Sequence, residues 1–168
     1  MSRTFGFIGL GLIGGSLAKA LRETEHDCRI IAYSRKPQLS KDLQGALDAK
    51  VADEIVYSLD AFGACDFIFL CAPVDSNISY LPALKAVLSS DTVLTDVGSV
   101  KSGIHEAIKK AGLTQNFVGG HPMTGSERTG FENSNALLME NAYYVVTKTE
   151  DCSDAIADKL VALIQQVK

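Results

Sequence analysis

One histidine of the chain stands in a setting suited to acid–base chemistry. His121 lies in the glycine-rich segment Gly119–Gly130, directly after two glycines and before a proline. Imidazole titrates near neutral pH, so a histidine at the end of a strand can act as a general base. His26 and His105 have polar neighbours, which indicates surface residues. His121 is therefore the candidate catalytic residue.

A glycine turn near the start of the chain has the spacing of a dinucleotide-binding turn. Gly9, Gly11 and Gly14 fit the G-x-G-x-x-G pattern between an apolar strand and a helix. The first glycine permits a tight turn, the second lets a pyrophosphate approach, and the third lets helix and strand pack closely. The helix N-terminus offers free N–H groups to phosphates, whereas the alternative is a plain tight turn. The predicted cofactor contacts are Gly9, Leu10, Gly11, Leu12, Ile13 and Gly14.

The residues after the second predicted strand bear on the choice of cofactor. An NAD site usually carries Asp or Glu there, which binds the ribose 2′-hydroxyl. This chain has Ser34, Arg35 and Lys36 instead. A guanidinium and a hydroxyl would bind a 2′-phosphate, which a carboxylate would repel. The sequence therefore favours NADP over NAD. The alternative is a solvated loop beside an NAD site.

Further cofactor contacts are expected at the ends of two other strands, because ligands bind beyond the carboxyl ends of parallel strands. Small residues and a proline end the fourth predicted strand, where a cofactor could lie along the strand end. A plain strand stop is the alternative there. The predicted contacts at the fourth and fifth strand ends are Cys71, Ala72, Pro73, Asp96 and Gly98.

Two polar residues after the fifth predicted strand are also candidates. Ser99 is placed to cap the next helix, and its hydroxyl can also donate or accept a hydrogen bond in the cleft. Lys101 is expected in the first turn of that helix, near the cleft. The alternative for Lys101 is an ordinary exposed lysine.

The elements that must position these residues alternate between strand and helix. This alternation predicts an α/β fold, a Rossmann-type doubly wound and mostly parallel sheet with helices on both faces. After a first strand that ends at Ile8, the predicted strands are Cys28–Tyr33, Glu54–Tyr57, Asp66–Ala72, Thr92–Asp96, Asn116–Gly119 and Tyr143–Thr147. The predicted helices after the glycine turn are Lys41–Ala49, Ile78–Leu88, Ile104–Ala111 and Ser153–Val167, the last capped by Ser153.

Composition narrows the class of protein. The chain has 168 residues, which suits one domain, and a net charge of −4 without a basic stripe, which argues against a nucleic-acid partner. No apolar run approaches the roughly 20 residues of a membrane span, and the first strand leaves no room for a signal peptide. A cytoplasmic location is therefore expected. The four cysteines have no metal-binding spacing and are interpreted as small apolar residues.

Taken together, the motifs resemble the prephenate/arogenate dehydrogenase family of tyrosine biosynthesis. The matching segments are Gly9–Ala18, Asp96–Lys101, His121–Glu127 and Asn141–Tyr144, in the family's order. The β-hydroxyacid dehydrogenases resemble the N-terminus too. They usually carry Met where Ile13 stands, and they lack the His121–Glu127 segment.

The resemblance implies oxidative decarboxylation of a small molecule, prephenate or arogenate, with NADP or NAD as cofactor and without a metal. It implies that His121 takes the proton of the ring hydroxyl while a hydride leaves the same carbon. Ser99 would orient His121 or bond the substrate hydroxyl. Ser126 and Glu127 would line the entrance, with Lys101 also on the substrate side. An exposed loop carboxylate is the alternative for Glu127.

The family's members usually continue into a helical domain that completes the substrate pocket and forms the dimer. Residues 1–168 are therefore expected to be the nucleotide-binding domain alone, which would bind cofactor with little turnover. A homodimer is expected only with the helical domain. The other readings are a nucleotide-binding module without catalysis and a β-hydroxyacid dehydrogenase. Prephenate and arogenate are not distinguished.

Overall fold

The sheet of this protein contains seven strands in the order β3-β2-β1-β4-β5-β6-β7. The structure is a computed structural model that describes residues 2–167. Strands β1 to β6 are parallel, and β7 pairs antiparallel with β6. The strands are β1 (Arg3–Ile8), β2 (Cys28–Tyr33), β3 (Glu54–Val56), β4 (Phe67–Leu70), β5 (Val93–Asp96), β6 (Phe117–Pro122) and β7 (Tyr144–Lys148).

Helices cover both faces of the sheet, which confirms the doubly wound Rossmann-type fold. They are α1 (Leu12–Thr24), α2 (Lys41–Asp48), α3 (Val74–Val87), α4 (Ser102–Ala111) and α5 (Asp154–Gln166). Helices α1, α2 and α5 pack on one face, and α3 and α4 pack on the other. Residues 2–167 also contain three short 3₁₀ helices, at Leu59–Ala64, Phe131–Asn133 and Ala136–Leu138. In the range 2–167, no helix combines the length and the apolar character that crossing a bilayer demands.

The central strands β4 and β5 are buried along their whole length because both faces of the sheet are covered. All four residues of β4 are buried, and so are all four of β5. Aromatic rings link β1 to β4, with Phe5 stacked on Phe67 and Phe7 on Phe69 at centroid distances of 5.6 and 4.9 Å. These contacts hold the carboxyl ends of β1 and β4 side by side, where the glycine turn begins.

Helix ends follow the expected capping chemistry at one predicted position and depart from it at another. The Ser153 hydroxyl accepts a hydrogen bond from Ile156 N at 3.3 Å, so the predicted cap of α5 is confirmed. The predicted cap at Ser99 is wrong. Helix α4 begins three residues later, at Ser102, and Lys101 occupies the N-cap position without a side-chain cap. Lys101 is therefore not in the first helical turn either.

The structure corrects three other expectations. Strand β6 continues through His121 to Pro122, because β7 pairs with it up to Pro122–Tyr144. Helix α3 begins at Val74 and contains Pro82, so it is longer than its apolar spacing indicates. His105 is half-buried rather than a surface residue, because its ring packs edge-on against Phe117 at 5.4 Å.

Candidate functional site

The glycine turn joins β1 to α1 at the carboxyl edge of the sheet. Gly9 has a φ of +97°, and a Cβ added there would lie 2.7 Å from Ala72 N. A Cβ on Gly14 would overlap Gly9 O and lie 2.9 Å from Cys71 Cβ. A Cβ on Gly11, in contrast, would meet no atom within 4 Å. Gly9 and Gly14 thus permit close packing of the turn, whereas Gly11 faces open space.

The first turn of α1 is suited to an anion. Gly11 is its N-cap and provides no side-chain cap, and the first turn holds no acidic side chain. The amide N–H groups of Leu12, Ile13 and Gly14 have no partner within residues 2–167. Unpaired amides and the helix dipole together attract phosphate. The turn therefore fits a dinucleotide, with buried Leu10 able to contribute only its backbone.

The segment after β2 lines a shallow cavity of about 290 Å³. Arg35 and Lys36 are exposed, and neither side chain has an ion-pair or hydrogen-bond partner among the described residues. The buried hydroxyl of Ser34 donates to Lys36 O at 2.7 Å, so it braces the turn. Within residues 2–167, no acidic side chain lines this cavity. Its lining residues are Tyr33, Ser34, Arg35, Lys36, Gln38, Ser40, Leu43, Ser76 and Tyr80.

An ion pair joins the carboxyl ends of β5 and β6. Lys101 Nζ lies 2.7 Å from both carboxylate oxygens of Asp96, and it also donates to Gly120 O. The Asp96 carboxylate accepts from Gly120 N and from Gly98 N, each at 3.2 Å. Asp96 is therefore engaged with its own protein rather than open to a cofactor. The ammonium of Lys101 is bonded within the protein as well, and these bonds would compete with the contact to substrate that was expected for it.

His121 lies at the same edge, opposite Val145 of β7. Its Nδ1 is buried and has no hydrogen-bond partner, whereas Nε2 is not buried. Nε2 is therefore the ring nitrogen that a ligand could reach. Ser99 is exposed in the loop after β5 and forms no side-chain hydrogen bond with His121 among the residues described. Both predicted catalytic residues stand at one edge of the sheet, but their side chains do not bond to each other.

The loop between β6 and β7 carries the two predicted entrance residues. Ser126 and Glu127 are both exposed, and the Ser126 hydroxyl accepts a hydrogen bond from Arg128 N at 2.9 Å. No contact joins them to His121 among the hydrogen bonds of residues 2–167. The same loop then packs on α1, where the backbone N–H of Asn135 donates to the Ser16 hydroxyl at 2.9 Å.

Two side chains with buried polar atoms, those of Asn77 and Tyr144, support this edge, and neither was predicted as a site residue. The Asn77 side chain donates to Leu70 O at 3.3 Å and Ala72 O at 2.8 Å, so it holds the end of β4. Its signal in the sequence is a polar residue on the same helix face as Leu81 and Leu84. Tyr144 lies across Gly120, and a Cβ on that glycine would lie 2.6 Å from the hydroxyl.

Burial raises the pKa of two side chains near the turn. Burial, with the nearby carboxylate of Asp96, raises the pKa of the Cys71 thiol well above its usual range. Burial, with Cys71 and Asp96 close by, likewise raises the pKa of Tyr144. Cys71 thus packs against Gly14 as an uncharged residue, between the glycine turn and the end of β4.

Comparison with known proteins identifies the family. The family described as "Prephenate dehydrogenase, nucleotide-binding domain" matches residues 17–168. The prephenate dehydrogenase of Lactococcus lactis is 34% identical over 145 residues, which are 84% of this chain and 40% of that protein. The cyclohexadienyl dehydrogenase of Zymomonas mobilis is 30% identical over 142 residues, which are 83% of this chain and 47% of that protein.

Solved structures agree. A prephenate dehydrogenase from A. aeolicus, in complex with hydroxyphenyl propionate and NAD+, superimposes with a TM-score of 0.88 at 29% identity, over 99% of this chain and 58% of that one. An arogenate dehydrogenase from Synechocystis superimposes with a TM-score of 0.85 at 32% identity, over 98% of this chain and 56% of that one. The chain thus spans about half the length of the relatives it matches. It belongs to the prephenate dehydrogenase family and has the fold of that family's nucleotide-binding domain.

Proposed function

We propose that this chain is the cofactor-binding domain of an NADP-dependent dehydrogenase that oxidatively decarboxylates prephenate or arogenate. The observation that carries the proposal is the position of His121. Its Nε2 is the accessible ring nitrogen, and the residue lies near the end of β6, at the carboxyl edge of the sheet where the uncapped turn of α1 also lies. The names of the relatives, which are prephenate, cyclohexadienyl and arogenate dehydrogenases, support the substrate class.

The residues of the chain would divide the work as follows. The free amides of the first turn of α1 bind the pyrophosphate, and Gly11 leaves room for its approach. A nicotinamide cofactor, held by these residues, would accept the hydride that leaves the carbon bearing the ring hydroxyl. His121 Nε2 accepts the proton of the ring hydroxyl, as the carbon that bears it becomes a carbonyl. Loss of the ring carboxylate as carbon dioxide then makes the ring aromatic. Ser99 assists by bonding the same hydroxyl or His121.

Replacing the base tests this assignment. In the complete natural protein, His121→Asn removes the proton acceptor but keeps a side chain of similar polarity. We expect kcat to fall about 10²- to 10⁴-fold, because a positioned base contributes that much. The dissociation constant of the cofactor should stay within about twofold, since α1 is untouched. His26→Asn, at an exposed position, is the matched control. An unchanged kcat in His121→Asn would refute the role.

The preference for NADP rests on Arg35 and Lys36, because Ser34 is already bonded to the backbone. A bond between a charged group and phosphate is worth about 1.5–3 kcal/mol, which is about 10- to 150-fold in affinity. We expect Arg35→Ala/Lys36→Ala to weaken NADP binding by that factor and to leave NAD binding within about twofold. Lys109→Ala, exposed on α4, is the control. Tighter binding of NAD than of NADP by the unsubstituted protein, at one ionic strength, would contradict the proposal.

The remaining expectations stand as parts of the same proposal. Ser126 and Glu127 line the substrate entrance. A helical domain in the complete protein finishes the substrate pocket and forms the dimer, and the enzyme works in the cytoplasm. Residues 1–168 by themselves are proposed to bind cofactor with little turnover. Comparing the turnover of this chain with that of the complete natural protein, with both substrates and both cofactors, tests these points.

A further inference from the structure

We infer that Asp96 and Lys101 are a pair of positioning residues, which hold the segments of Ser99 and His121 at a fixed separation. The inference rests on the proposed function, which assigns the chemistry to Ser99 and His121. It differs from the roles first expected for the pair, which were contact with cofactor for Asp96 and contact with substrate for Lys101. In the structure, both side chains act on the backbone beside the candidate catalytic residues.

The pair is buried and closely bonded. The Asp96 side chain is 3% exposed and the Lys101 side chain 18%. Lys101 Nζ is 2.7 Å from each Asp96 oxygen, and its remaining bond goes to Gly120 O. Three donors of one ammonium thus meet three acceptors, which leaves little capacity for a ligand.

Both peptide groups of Gly120 are bound by this pair. Its N–H donates to Asp96 Oδ1 at 3.2 Å, and its carbonyl accepts from Lys101. That carbonyl belongs to the peptide bond that leads into His121. The other oxygen of Asp96 accepts from Gly98 N at 3.2 Å, one residue before Ser99. A single carboxylate therefore fixes the backbone beside both candidate catalytic residues.

Such a bond pattern controls geometry more than binding. Charge-assisted hydrogen bonds are shorter and stronger than neutral ones, and burial reduces their screening. A displacement of about 1 Å in a catalytic group can lower the rate about 10²-fold. Loss of the pair should therefore lower kcat and leave the binding of substrate and cofactor nearly unchanged. A residue that touches substrate would instead change KM.

The test is Lys101→Met in the complete natural protein. We expect kcat to fall about 10- to 100-fold, with KM for substrate and cofactor within about threefold. Hydrogen exchange of the peptide covering residues 117–123 should become faster, because the Gly120 carbonyl loses its bond from Lys101 and the Asp96 carboxylate, which accepts from Gly120 N–H, loses the ammonium that holds it. Lys110→Met is the matched control, since Lys110 lies on α4 and pairs with Glu106 at the surface. It should change neither kcat nor the exchange of that peptide.

A second variant covers the possibility that Lys101→Met does not fold, because it leaves Asp96 as a buried unpaired charge. Asp96→Asn/Lys101→Met removes both charges and should show the same fall in kcat. A raised KM with unchanged kcat would overturn the inference in favour of substrate contact, and unchanged kcat together with unchanged exchange would overturn it outright. A wild-type protein that lacks dehydrogenase activity would count against the proposed function, and exchange of the 117–123 peptide would still decide whether the pair holds Gly120.

Discussion

Replacing a glycine of the turn by alanine should have different effects at Gly11 and at Gly14. The first replacement should impair cofactor binding, and the second should impair stability. Gly11→Ala places a methyl group where no protein atom lies within 4 Å. Gly14→Ala places one against Gly9 O and 2.9 Å from Cys71 Cβ. The first methyl therefore occupies only the space that a pyrophosphate would need. The second forces α1 away from β1 and the end of β4.

The expected magnitudes differ accordingly. For Gly14→Ala, overpacking should lower the free energy of unfolding by about 1–3 kcal/mol. For Gly11→Ala, the unfolded chain loses entropy, which stabilises the fold by about 0.4–1 kcal/mol. Alanine is a poorer N-cap than glycine by a similar amount, about 0.5–1 kcal/mol. The two effects offset each other, so the stability of Gly11→Ala should stay within about 0.5 kcal/mol of the unsubstituted protein.

Urea unfolding and cofactor titration measure the two effects separately. We expect Gly11→Ala to weaken NADP binding about 10- to 150-fold, because blocking a phosphate contact costs about 1.5–3 kcal/mol. Gly103→Ala, at another position where a Cβ meets no atom within 4 Å, is the control and should not affect binding. The reasoning is refuted if Gly11→Ala binds NADP normally, or if it unfolds as easily as Gly14→Ala.

Two further predictions concern stability. Phe131 is 4% exposed, and its ring fits against Gly15 and Gly45 with Lys19 Nζ 4.5 Å from its centroid. Phe131→Ala should therefore lower the free energy of unfolding by about 3–5 kcal/mol in urea, and a loss below about 1 kcal/mol would show that the loop is not anchored there. Burial lowers the pKa of His105 below its ordinary 6.5, with Asp96 raising it and Lys101 lowering it further. The unfolded chain then binds more protons than the folded one as pH falls below about 6.5, so this histidine destabilises the fold in acid. His105→Gln should lose less stability than the unsubstituted protein between pH 7 and 5, and equal losses would contradict the assignment.

Elements with local signals could be predicted from the sequence. Strand β2 has the predicted bounds Cys28–Tyr33, and Ser153 caps α5, because a short run of apolar residues and the chemistry of a helix cap both involve near neighbours. The end of β6 could not be predicted in this way. Its extension to Pro122 depends on β7, where Val146 pairs with Gly120 across a long loop.

The candidate site shows the same division. The glycine turn was predicted because all of its requirements lie within six residues. The partners of Asp96 were not, since Gly120 lies 24 positions further along the chain. Ser99 has the residue type of a cap, but α4 begins only at Ser102, after Lys101, whose side chain is bonded to Asp96. Residue type therefore indicated what stands at this edge, and long-range bonds decided what each residue contacts.

The attachment of the β6–β7 loop to α1 has a consequence for the order in which the chain can fold. Ser16 bonds to Asn135 across 119 positions, and Lys19 bonds to Ser134 across 115. During synthesis, the outer face of α1 must therefore wait until most of the chain has left the ribosome. Until then the apolar pocket for Phe131, between α1 and α2, stays open to water. Such distant contacts slow folding, and the emerging chain is exposed to aggregation in that interval.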